Sequence, residues 1–233
     1  MARQKALKGR VPAVTLFLAG VSLLAYCWPH LSDLLVYDRQ AILQGEVWRL
    51  FTAPVVHFSL SHLWWDLSVF CAAGWAIEVA GFRGYRLVCS LSAFIPGTVF
   101  LLVSPNLARY GGLSGLATGA VVYLSLWESR RPGRSRILWL AILALTGVKI
   151  IVESVTGAPI FLSTDNIPLR VLPAAHAIGC AAALAAFYGF GPNKGAQSTQ
   201  RCRKRPLGGW SGSISGYEPD RVKLAGQVTK ARR

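Results

Sequence analysis

The sequence predicts an all-α polytopic membrane protein, a single bundle of six transmembrane helices. Three observations carry this. Hydrophobic residues make up 53% of the 233-residue chain, and its mean hydropathy is +0.42. Charged residues are only 15%, where a soluble domain carries about a quarter. The apolar residues also come in blocks long enough to cross a hydrocarbon core, with the charges gathered at block ends. The net charge of +15 would suit nucleic acid. Its Lys and Arg residues lie where headgroups and the positive-inside rule want them, so membrane lipids are the expected partner and nucleic acid is not.

A basic cytoplasmic leader, residues 1–10, carries Arg3, Lys5, Lys8 and Arg10. The membrane domain is expected over residues 11–190. Its first span, 11–29, closes on Trp28-Pro29, an interfacial aromatic followed by a helix breaker. Cys27 ends a Leu-Ala-Tyr-Cys run that resembles a lipoprotein cleavage site, but Tyr26 is too bulky for one, so this block is expected to stay as a helix. Residues 30–56 alternate charge and apolar character and read as a long loop on the membrane interface. The second span covers about 58–79 and the third about 87–103, with Pro96-Gly97 expected as a kink. The fourth, about 113–127, opens on Gly112-Leu113-Ser114-Gly115 and ends before a turn holding Arg130, Arg131, Arg134 and Arg136. The fifth covers about 137–155 and the sixth about 171–190. Residues 191–233 are polar, rich in Gly and Ser, and basic, as expected of a disordered cytoplasmic tail.

Six spans put both termini on one side. The leader, Arg83 and Arg86, the four-arginine turn and the tail share that side, against Arg39, Arg49, Arg109 and Arg170 on the other. Both termini are therefore expected in the cytoplasm, which puts Ser114 and His176 near the outer ends of their helices. The five cysteines, Cys27, Cys71, Cys89, Cys180 and Cys202, have no paired spacing, so neither a disulfide framework nor a cysteine metal site is read.

Polar groups inside a span are costly and point to function. Gly115 and Gly119 put a small-residue face beside Ser114, and Gly179 and Ala183 do the same beside His176. Two such helices pack backbone to backbone, which brings an imidazole to a hydroxyl. A serine paired with a neutral histidine is the minimum for an activated nucleophile. His62 and Asp66, four apart, share a helical face, and His57 stands just before it. Imidazole and carboxylate suit zinc, but the segment has no His-x-x-x-His pair and lacks a further ligand. A donor site for a developing oxyanion fits better, with His62 and the Ser114 backbone N–H as donors. No metal, and no nucleotide or organic cofactor, is expected. Lys149 and Glu153, also four apart, can pair inside the fifth span; steadying the bundle is the simpler role for them.

These residues stand in an order that resembles the rhomboid family of intramembrane serine proteases. Trp48-Arg49, then His57 and His62 five apart, then Gly112-x-Ser114-Gly115, then His176 with Gly179, match the family's pattern over about residues 45–190. The resemblance implies Ser114 as nucleophile, His176 as general base and acid, and Gly112 and Gly115 as active-site glycines. It further implies an oxyanion hole of His62, Asp66 and Ser114, with His57 as a structural residue of that loop. Asp66 stands where the family has asparagine, and serves as a donor only if its carboxyl stays protonated or holds His62 charged. Within the family the chain is most similar to the bacterial rhombosortase subgroup, through residues 45–52, Tyr110 to Gly115, and Lys149 with Glu153. It departs from that subgroup over residues 116–119, which hold no histidine. The subgroup implies a multi-pass enzyme of the bacterial inner membrane. Its substrates would be transmembrane or secreted proteins whose C-terminus carries a Gly-Gly motif, a hydrophobic helix and a basic end. The competing reading is an inactive rhomboid-like protein that binds membrane helices without cutting them.

Overall fold

A computed structural model of the chain describes residues 10–157 and 173–190. Helix dominates: α1 (Ala13–Cys27), α2 (Pro29–Leu35), α3 (Arg39–Leu43), α4 (Arg49–Thr52), α5 (Leu60–Ala80), α6 (Tyr85–Val103), α7 (Ser114–Glu128), α8 (Ser135–Thr156) and α9 (Pro173–Phe190). The only strands among the described residues are β1 (Tyr37–Asp38) and β2 (Arg109–Tyr110), paired antiparallel. The basic leader up to residue 9, residues 158–172, which include Arg170 and the first residues of the sixth expected span, and the expected tail 191–233 lie outside the described residues.

Four of these helices, α5, α6, α8 and α9, are long and apolar enough to cross a membrane. The pair α1 and α2, bent by 118° at Trp28, counts as a fifth if taken together. Pro29 at the first position of α2 explains the break, since its ring fits the start of a new helix and not the interior of the old one. Helix α7 has fifteen residues, or about 22 Å of a hydrocarbon core roughly 30 Å thick. It packs against α5, α6, α8 and α9, so other helices rather than lipid surround it. Phe70, Ile77, Val88, Leu113, Leu116, Ala120 and Tyr123 form the core around it.

Residues 30–56 are not a plain loop. Arg49, 7% exposed, donates from Nη1 to the carbonyls of Asp33 (2.5 Å) and Val36 (2.9 Å), and its Nε binds Glu46 Oε2 at 2.6 Å. Thr52 Oγ1 donates to the Leu35 carbonyl at 2.7 Å. Together these fasten α4 to the end of α2, using the planar fork of the guanidinium to satisfy carbonyls a loop would leave open. Asp38 caps α3, its Oδ1 accepting from Gln40 and Ala41 N–H at 3.0 and 3.1 Å. The Ala41 N–H is the main reason the Asp38 carboxyl sits below its ordinary range.

Helix α6 carries Pro96 inside its range, where the sequence places the expected kink. Gly97 has another use. A Cβ there would stand 2.9 Å from the Leu50 carbonyl oxygen, so its absence lets α4 lie directly on α6.

Candidate functional site

The loop 111–113 and the first turn of α7 bring three sets of polar residues together. Gly112 has φ +127°, a conformation other residues rarely adopt. A Cβ on it would be 2.7 Å from His62 Cε1 and 2.8 Å from His62 Nε2. Glycine therefore lets the loop rest on the His62 ring.

The second set lies under that loop. Ser59 caps α5, its Oγ accepting the His62 N–H at 3.2 Å. One turn further, Asp66 Oδ2 lies 3.2 Å from His62 Nε2 and 3.3 Å from His57 Nε2. All three residues are buried, and the two rings meet edge to face with centroids 5.0 Å apart. His57 is held by backbone groups on both ring nitrogens. Its Nδ1 lies 3.2 Å from the Val55 carbonyl, which only accepts. The Leu113 N–H, which only donates, points at its Nε2 from 3.3 Å, the same distance at which Asp66 Oδ2 stands. The ring thus ties the serine loop to the residues before α5. His62 Nδ1 is buried with no hydrogen-bond partner among the described residues. Nearby in β2, burial and the Asp66 charge both push the Tyr110 phenol up.

His57, His62 and Asp66 also offer one ligand atom each within 4.8 Å of one another. Two imidazoles and a carboxylate suit zinc, but the Leu113 N–H points at His57 Nε2 from 3.3 Å. A metal would need that hydrogen bond broken.

The third set sits across the loop, on α9. A Cβ on Gly115 would be 3.0 Å from the Ala175 carbonyl oxygen, and one on Gly119 would be 3.0 Å from that of Gly179. A Cβ on Gly179 would collide with the Gly115 carbonyl oxygen. The two small-residue faces therefore meet backbone to backbone, as the sequence led one to expect. Ser114 and His176 are the immediate chain neighbours of Gly115 and Ala175 at the head of this seam. Ser114 is half-buried and His176 is 4% exposed. Among the described residues the Ser114 hydroxyl makes no hydrogen bond to the imidazole; its carbonyl accepts from Thr118 Oγ1 at 2.8 Å.

Sequence reasoning missed one feature of this set. Lys149 and Glu153 of α8 do pair, with Nζ 2.7 Å from each carboxylate oxygen. Glu153 Oε2 is also 3.0 Å from His176 Nδ1. The i, i+4 spacing was visible in the sequence; the histidine as third partner depends on how α8 packs on α9.

Residues 44–193 match the family model described as the Rhomboid domain. The chain is 33% identical over 99 residues to Rhomboid protease GlpG of Salmonella newport, covering 42% of this chain and 35% of that protein. It is 32% identical over 92 residues to Rhomboid protease GluP of Bacillus subtilis, covering 38% of this chain and 18% of that protein. The matches thus span about a third or less of the length of these relatives.

Proposed function

The chain belongs to the rhomboid family, and on that premise we propose that it is an intramembrane serine endopeptidase acting through Ser114 and His176. The observation that carries the reading is the glycine seam between α7 and α9, which sets the two residues at the head of facing helices. Ser114 Oγ attacks the scissile carbonyl carbon while His176 Nε2 takes the hydroxyl proton. The tetrahedral oxyanion collapses, the C–N bond breaks, and His176 returns the proton to the departing amine. Water then attacks the acyl-serine with His176 as base, releasing the new carboxyl terminus and restoring Ser114. The Ser114 N–H, at the open N-terminal end of α7, and His62 are the oxyanion donors. His57 acts as the brace between loop and helix.

Six spans with cytoplasmic termini fit the distribution of Lys and Arg, in the inner membrane of a bacterium. The short α7 supports a nucleophile that starts inside the hydrocarbon depth, since a helix of this length stops short of one surface. The substrates are transmembrane or secreted proteins with a Gly-Gly motif, a hydrophobic helix and a basic C-terminal end, as the similarity to rhombosortases suggests. Co-reconstitution in liposomes with a reporter of that design tests this. Cleavage near the Gly-Gly motif is expected, lost in Ser114→Ala; an intact reporter beside folded wild type counts against it.

Asp66 favours the second reading, a helix-binding protein without activity. A carboxylate in an oxyanion site repels the charge it should stabilise, and His62 Nε2 is engaged by that same carboxylate. The reading expects the reporter to be retained by the protein uncut, and Asp66→Asn to create cleavage that wild type lacks.

A further inference from the structure

Helix α8 faces outward. Its large apolar side chains, among them Ile137, Leu138, Leu145, Ile151 and Val155, are exposed, as suits a lipid-facing helix. The one residue it buries is Glu153, 2% exposed. Burying an ion pair brings little or no net stability over an apolar pair of similar volume, because both charges must leave water. A peripheral helix that needed only to stay docked would do better with leucine. The carboxylate instead lies against one imidazole nitrogen and leaves the other free for chemistry, with Glu153 Oε2 3.0 Å from His176 Nδ1. Lys149 Nζ bonds both of its oxygens at 2.7 Å and stands 3.5 Å from the same Nδ1.

We propose that Glu153 is the positioning residue of a Ser114–His176–Glu153 triad, held ionised by Lys149. The proposal rests on the serine–histidine reading and adds a third member to it. A carboxylate only accepts, so the contact fixes the proton of neutral His176 on Nδ1 and leaves the Nε2 lone pair for the Ser114 hydroxyl. When Nε2 takes the serine proton the ring becomes a cation, and Glu153 lies against its other N–H. The carboxylate stays ionised throughout; the proton on Nε2 passes to the leaving amine. Lys149 sets an opposite charge against the Glu153 carboxylate, and the charge that appears on the ring is matched by the one that appears on the oxyanion.

The test is the concentration dependence of labelling by a fluorescent fluorophosphonate, with thermal stability followed on the same detergent preparations. Glu153→Gln can present its amide N–H to Nδ1 and select the wrong tautomer. Its saturating rate should fall at least about 10²-fold, toward the roughly 10⁴-fold loss that the equivalent change causes in a water-soluble triad. The half-saturating concentration should hardly move. Glu153→Asp should label faster than Glu153→Gln. The double variant Lys149→Met with Glu153→Gln removes both charges, so it should regain stability but not rate. A folded double variant that labels at the wild-type saturating rate would overturn the proposal and leave the pair as a bundle fastening. Wild type that does not label, or Ser114→Ala that does, would instead bring down the serine–histidine reading and the triad with it.

Discussion

Asp66 and Glu153 both set a buried carboxylate against an imidazole, on opposite flanks of the loop that carries Ser114. Their surroundings differ. Glu153 has a lysine on both oxygens and a histidine on one, so its charge is balanced before any reaction begins. Asp66 has two imidazoles on a single oxygen. Any proton that balances Asp66 must be shared with those two rings. In the proposed mechanism, the acid on the His176 side supports a group that becomes positive, and the acid on the His62 side lies where negative charge develops. On that proposal the same residue chemistry helps on one flank and hinders on the other, according to the charge the reaction creates nearby.

The change with the largest expected effect removes the frame both flanks share. Gly179→Val forces a side chain into the Gly115 carbonyl. It should abolish labelling and destabilise the bundle by about 3 kcal/mol, the upper end of overpacking costs, as read by thermal melting and gel fluorescence. Asp66→Asn acts on one flank only. It should raise the labelling rate about tenfold or more, within the roughly 10²–10³ that one oxyanion donor is worth; an unchanged or lower rate would mean that the carboxyl already serves as a donor. Gly112→Ala strains the loop and presses on His62, so labelling should drop about tenfold with a stability loss of about 1–3 kcal/mol. Smallest is Lys149→Gln, which leaves Glu153 and its hydrogen bond to His176 in place. Labelling should fall only about threefold, well short of the Glu153→Gln loss, because Lys149 touches the triad through the carboxylate.

The helices of the bundle were legible in the sequence because membrane burial writes itself as uninterrupted hydropathy. The α7–α9 contact beside Ser114 and His176 was legible because close helix contact demands glycine, and Gly115, Gly119 and Gly179 repeat at helical spacing there. The long-range partners of Arg49 were not. They are backbone carbonyls at Asp33 and Val36, and a carbonyl leaves no mark in a sequence. The contact of Gly97 was hidden for a related reason. It lies against Leu50, more than forty residues away along the chain. Lys149 and Glu153 announced each other through their spacing and could not announce His176, which lies on a different helix, α9.

The most direct measurement is peptide mapping by mass spectrometry of fluorophosphonate-treated protein. A single adduct on Ser114 in wild type, absent from His176→Ala, is the result expected of an activated serine at the head of the α7–α9 seam. An adduct on another residue, or one on Ser114 that forms equally well without His176, would contradict it.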